Sequence, residues 1–399
     1  MIRRPWLSAV NVGFILPFVA LSVIDPRPLS ACPAQAARDS AGIEIVSNPG
    51  TDTPLDWRIR KVLRLGDAMG PPETSFFKLN PYSVGAGPGG TILVLNRGNY
   101  RVVVFSRDGI VLRAFGRQGA GPGQLRNPVS IWLSPSGAIR VLDFMAGILT
   151  FDSEGTLLAQ EVPEQGVIGL GMHMEETPAG LVHSWSVGLR SDTLLIEEVR
   201  IARGADTTTL ARWELRPTKT IRHPTCRLTV QFGPIFEPEL IWDANAGHVA
   251  VLSDYSYRID LYGHDGAPVR SIRRDIAPRR TTRDDALREL GPTPGFNFPP
   301  DRLCVWDPAE LVKERGFYPL LQPIEALALA PDGYLWARRT RPGDDPGPID
   351  VFRPDGTYAG TLPASMPFPD AFIDSSRFLS VETDELDVEH VAVYEVVAE

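Results

Sequence analysis

The sequence predicts an all-β chain closed into a ring of six four-stranded units. Three observations carry that prediction. Short alternating runs of β-branched and aromatic residues recur between Gly, Pro, Asn and Asp turns, the pattern of meandering antiparallel strands. The runs repeat behind a common anchor, Gly90, Gly137, Gly180, Gly247 and Gly333, with Arg377 in its place before the sixth run. The sixth repeat stops one strand short, and Trp57–Gly66 near the N-terminus reads like the last strand of a repeat that lacks the others. Each unit alone would leave strand edges and one apolar face uncovered, and closing the ring covers them. The expected architecture is a six-bladed β-propeller over residues 57–399, its sixth blade completed by the N-terminal strand.

Composition agrees. Gly 36 and Pro 37 in 399 residues make about 18%, against an average near 12%. A hydrophobic content of 43% supplies a core. The formal charge is −9, and no basic stripe interleaves with aromatics. That balance excludes nucleic acid as the expected partner.

Taken in order, the first 36 residues read as an address. Arg3 and Arg4 precede an uncharged apolar run, Val12–Ile24, too short to span a bilayer. Two endings stand. Leu29-Ser30-Ala31-Cys32 resembles a lipobox, which would acylate Cys32 and give the chain its sole membrane attachment. Ala34-Gln35-Ala36 reads as an A-x-A site, which would release a soluble protein. Either way the chain is expected to be exported: periplasmic, anchored to the outer membrane, or secreted. Residues 37–56 are read as a short strand, Ile43–Val46, and a polar linker.

The first repeat is the clearest. Thr91–Leu95 and Val102–Ser106 flank the turn Asn96-Arg97-Gly98-Asn99, and Arg107-Asp108-Gly109 turns into Ile110–Phe115. The Gly/Pro-rich link Gly116–Gly123 feeds Pro128–Leu133. Asp-Gly pairs recur at Asp265-Gly266, Asp332-Gly333 and Asp355-Gly356, where glycine supplies the positive φ a tight hairpin needs. One stretch breaks the period. Residues 276–322 carry Thr282-x-x-Asp285 as a capping box and Asp307-Pro308 as a cap with Pro at the first helical position. Two short helices with Phe296, Phe298 and Trp306 between them are expected over one propeller face or rim, either as a lid or docking platform or as a structural brace that covers blade edges.

Asn96-x-x-Asn99-x-Arg101-Val-Val-Val-Phe105, Asp108-Gly109, Phe115-Gly116 and Gly119-x-Gly121-Pro122-Gly123-Gln124-Leu125 resemble NHL repeats. The likeness is close over residues 89–155, partial in the fourth and fifth units, and poor in the third and sixth. The Ser40-Ala41-Gly42-Ile43 to Asn48-Pro49 opening is similar to that of exported bacterial six-bladed propellers of the NHL type. The resemblance implies an NHL- or TolB-like fold and a binding habit, and it carries no catalytic residues across.

Functional residues are expected where inner strands line the central channel. Seven positions before each anchor stand Ser83, Ser130, His173, Leu240, Ala326 and Asp370, with Glu239 and Glu325 one earlier. Ser83, Ser130, His173, Glu239, Glu325 and Asp370 are the candidate ligand-binding set at the channel mouth, able to hold a polar ligand or Ca²⁺ through hard oxygens. Acidic residues are also ordinary on a solvated rim. A lone His is often structural, and the paired Trp132 and Trp242 suit packing between blades or stacking on a sugar. There is no G-x-S-x-G, HExxH or P-loop. Cys226 and Cys304 either pair or stay as buried thiols, with the balance slightly toward thiols. The expected function is a monomeric, non-catalytic scaffold that needs no cofactor and binds a protein, peptide or glycan. The alternative is a metal-dependent, lactonase-like hydrolase or lyase working at the channel mouth.

Overall fold

The computed structural model describes residues 35–39, 42–162, 170–187, 195–226, 228–245, 247–298, 302–343 and 345–397. The leader and Cys32 lie outside them. No helix among the described residues is long and apolar enough to cross a membrane.

Six antiparallel sheets follow one another along the chain. Blade 1 runs from Val84–Ala86 to Val111–Phe115, blade 2 from Pro128–Leu133 to Leu157–Glu161, and blade 3 from Leu170–Thr177 to Asp206–Leu215. Blade 4 runs from Ile241–Ala244 to Pro268–Arg274 and blade 5 from Ile324–Leu329 to Tyr358–Leu362. Blade 6 takes three strands from the C-terminus, and its fourth is Arg58–Leu65, antiparallel to Glu389–Val397. The buried apolar side chains fall between successive blades. Leu93 and Val104 of blade 1 meet Ile131 and Leu149 of blade 2, and the series continues through blades 2 and 3, 3 and 4, 4 and 5, and 5 and 6. Leu65, Val391 and Val393 of blade 6 then pack on Ile92 and Val103 of blade 1, which closes the ring.

The N-terminal stretch is more than a linker. Glu44–Asn48 adds in parallel to the outer strand of blade 4, with Gln35–Arg38 beside it. Asn48 then donates to Gly356 O and accepts from Tyr358 N of blade 5. Leu55 N donates to Thr361 O, and Thr361 N to Thr53 O. The chain thus runs as a belt along blades 4 and 5 before its strand in blade 6. Sequence pattern missed this because the belt's bonds are mainly backbone bonds to strand edges, which any side chain permits.

A buried polar cluster underlies the belt. Asp350, with no exposed side-chain surface, pairs with Arg274 at 2.8 Å, also fully buried, and with Arg339 at 3.0 Å. It accepts from Tyr257 Oη and Thr361 Oγ1, each at 2.6 Å. Asp52 of the belt lies 3.1 Å from Arg274 and 2.7 Å from Arg339.

Residues 276–322 hold α1 (Arg283–Leu290) and α2 (Pro308–Arg315), capped by Thr282 and Asp307 side chains. Between them lies a hairpin, Gly295–Phe298 with Arg302–Val305, which the sequence reading did not foresee. Trp306, expected against the propeller, is buried in a separate apolar cluster. Its neighbours are Ile221 and Phe232 of a second hairpin, Lys219–Arg222 with Thr229–Phe232, in the connection from blade 3 to blade 4. The side chains of Phe296 and Phe298 lie outside the described set. The two inserted segments form one cap with its own core. Cys226 and Cys304 join them as a disulfide across 78 residues of sequence, with Cα atoms 6.1 Å apart. The leaning toward free thiols is therefore corrected: sequence spacing gave no sign that two separate connections fold together.

Candidate functional site

The channel contains a cavity of about 690 Å³ lined by the inner strands of all six blades. His173, Glu239, Glu325 and Asp370 of the candidate set line it, as do Leu240 and Ala326. Ser83 and Ser130 do not. Ser83 is fully buried and donates to Asn80 Oδ1 at 2.9 Å, inside a short 3₁₀ turn. Ser130 is 1% exposed within blade 2. In those two blades Tyr82 and Ile131, one position away, reach the channel. A side-chain period of two makes a one-residue offset decisive.

His173 reaches its position through an irregularity. In blade 3 the pairs Leu170–Trp185 and Met174–His183 bracket a bulge, four residues on against two. Bulges re-aim side chains. Met174 stays in the core between blades 2 and 3, while His173 and Glu175, two apart, share the opposite face. There they meet Asp243 of blade 4. Each of the three offers one donor atom, and these lie within 4.8 Å of one another. His173 Nε2 is 3.5 Å from Asp243 Oδ1. Asp243 Oδ2 accepts from Leu329 N of blade 5 at 2.5 Å, so three blades fix the group.

The imidazole is held between two rings. Trp242 stacks on one face with centroids 4.0 Å apart and planes at 14°, and Tyr82 on the other at 5.1 Å and 22°. Trp242 Nε1 donates to Ser184 Oγ at 2.9 Å. Gly171 makes room for that hydroxyl, since a Cβ there would lie 2.9 Å from it.

Burial dominates the electrostatics. It pushes the Glu175 carboxyl up to about 8, with the Asp243 charge adding to it. It raises Asp243 to about 7 against the N–H groups of Leu329 and Ala244, and Asp370 to about 7 against Val381 N–H and Arg338. Glu239 and Glu325 are raised for the same reason. His173 is lowered to about 4 by burial, so its imidazole is neutral at physiological pH. Among the described residues no Lys or Arg forms an ion pair with Glu175 or Asp243. A neutral imidazole and two carboxyls, desolvated without a counter-charge, form a donor set that suits a cation.

Sequence reasoning missed Tyr82, Glu175, Ser184 and Asp243. Glu175 was within reach, because the strand period carries any channel-facing property from 173 to 175. Asp243 was not, because it depends on how blade 4 sits beside the bulge.

A family model described as a 6-bladed beta-propeller, DUF5128, matches residues 87–163. The fold is that of a six-bladed β-propeller. A Bacteroides fragilis NCTC 9343 protein, inferred to be exported, is 12% identical with a TM-score of 0.50, covering 89% of this chain and 99% of its own. A member of the DUF4221 family from Bacteroides vulgatus is 10% identical with a TM-score of 0.50, covering 87% and 100%. These likenesses show the propeller fold. No curated protein sequence matches the chain.

Proposed function

We propose that this propeller binds a small polar ligand in its central channel through a divalent cation held by His173, Glu175 and Asp243. The observation that carries the reading is the convergence of these three donors from two blades within 4.8 Å. Glu175 supports it, since among the described residues its half-buried carboxyl forms no ion pair or hydrogen bond. Apolar walls with a few convergent polar groups are the usual form of a ligand site. Three protein donors leave coordination positions open, which favours as a second reading a cation-dependent hydrolase or lyase at the same place. We infer further that the leader delivers the chain to the envelope or the exterior. Fractionation of Cys32→Ala against wild type distinguishes an anchored from a released protein.

Calorimetric titration of chelator-treated protein with Ca²⁺, Mn²⁺ and Zn²⁺ tests the cation. At least one ion should bind with one-to-one stoichiometry, and Glu175→Gln or Asp243→Asn should weaken it at least 100-fold. If no divalent ion binds, the reading fails.

A further inference from the structure

The structure assigns the channel site to a nitrogen-accepting first-row transition ion such as Zn²⁺ or Co²⁺ rather than to Ca²⁺, with Tyr82, Trp242 and Ser184 as positioning residues for the His173 ligand. The assignment rests on the cation-binding reading above and names the class of ion.

The donor set points this way. Ca²⁺ takes six to eight oxygens in a flexible shell. The trio offers two carboxylates and one imidazole, and imidazole suits the later first-row ions. Donors on a tetrahedral ion with bonds near 2.1 Å stand roughly 3.4 Å apart, and His173 Nε2 stands 3.5 Å from Asp243 Oδ1.

The surroundings serve the imidazole rather than the oxygens. Tyr82 and Trp242 cover both ring faces, so only the ring edge can meet an ion, and Nε2 is the edge nearest Asp243. Trp242 cannot rotate freely, because its Nε1 is tied to Ser184 Oγ at 2.9 Å. The hydroxyl fits only because residue 171 has no side chain. Four residues, from blades 3 and 4 and the 3₁₀ turn that leads into blade 1, therefore fix the plane of one ring. Such a frame adds nothing to a site that coordinates through oxygen alone. Outer partners that orient a ligating His typically affect metal affinity 10–100-fold.

The full chain, stripped with chelator, is titrated with Zn²⁺, Co²⁺ and Ca²⁺, and the Co²⁺ form is read by its visible absorption. Zn²⁺ and Co²⁺ should bind at least 100-fold tighter than Ca²⁺. His173→Gln should cut Zn²⁺ affinity more than 100-fold and abolish the Co²⁺ spectrum while leaving Ca²⁺ affinity within threefold. Ser184→Ala, a smaller change, should weaken Zn²⁺ about 10-fold and shift the Co²⁺ bands with the melting temperature unchanged. Should His173→Gln leave Zn²⁺ affinity within threefold in a folded protein, or should Ca²⁺ match Zn²⁺, the assignment is overturned while channel cation binding stands. Absence of binding by every ion removes both.

Discussion

Replacing Asp350 by alanine should cost about 3–5 kcal/mol of folding stability, the range for removing one partner of a buried ion pair. The structure explains why the upper part of that range is expected. Arg274 has no exposed side-chain surface, and without Asp350 its guanidinium would keep Asp52 at 3.1 Å, the carbonyls of Pro49, Gly50 and Thr51, and the face of the Tyr358 ring at 4.0 Å, with Asp52 its one remaining counter-charge. Tyr257 Oη and Thr361 Oγ1 would each lose a 2.6 Å acceptor. Arg339 would keep Asp52 at 2.7 Å, so its share is smaller. Urea unfolding at pH 7, followed by tryptophan fluorescence, reads the difference. A companion double variant, Asp350→Leu with Arg274→Met, should recover much of the loss, because a well-packed apolar pair can replace a buried ionic one. A loss below about 1 kcal/mol for the single variant would refute the reasoning, since it would mean that water or a rearranged side chain readily replaces the carboxylate.

Three further outcomes are expected. Removing residues 35–57 while keeping Arg58–Leu65 should lower the melting temperature and raise protease sensitivity in blades 4 and 5, and an unchanged melt would mean the belt only decorates their edges. Between pH 6.5 and 8 the cation-free protein should lose stability, on the order of 3 kcal/mol, because Asp243 and Asp370 near 7 and Glu175 near 8 keep protons in the fold that the unfolded chain has shed. His173, lowered from 6.5 to about 4, opposes this mainly below that window and only weakly inside it, so chelator-treated melts that hold steady or rise toward pH 8 would contradict the burial argument. Reduction, or Cys226→Ser, should destabilise the cap by up to about 4 kcal/mol on the chain-entropy estimate for a loop of this size, read as earlier exchange of amides near Trp306 while blade 1 is unaffected.

Much of the fold was legible because blades repeat. Each glycine anchor marks the same turn, and the leftover strand at Trp57–Gly66 found its place by counting. The cap was only half legible. Thr282 and Asp307 announce helices through local capping chemistry, but nothing local says that Trp306 meets Ile221 from another connection. The site was legible only as a region. His173, Glu239, Glu325 and Asp370 reach the channel from positions counted off the anchors. Ser83 and Ser130 miss it because a one-residue shift turns a strand residue away. Glu175 and Asp243 converge through a bulge and a blade-to-blade contact, both set by tertiary packing.

The belt has a consequence for how the protein comes to be folded. Its partners lie about 220 to 340 positions along the chain: Glu44 bonds beside Arg270, Asn48 beside Gly356, and Arg58 beside Val397. A chain emerging from its N-terminus makes this segment first and its partners last. Pairings so distant carry loop-closure entropy that no early contact offsets, and folding slows as mean sequence separation grows. Until blade 6 exists, Arg58–Leu65 is an unpaired strand beside an open ring, the kind of edge that recruits other chains. Ring closure should therefore be the slow, concentration-sensitive step of refolding, and the interval before it is when the chain is most exposed to aggregation.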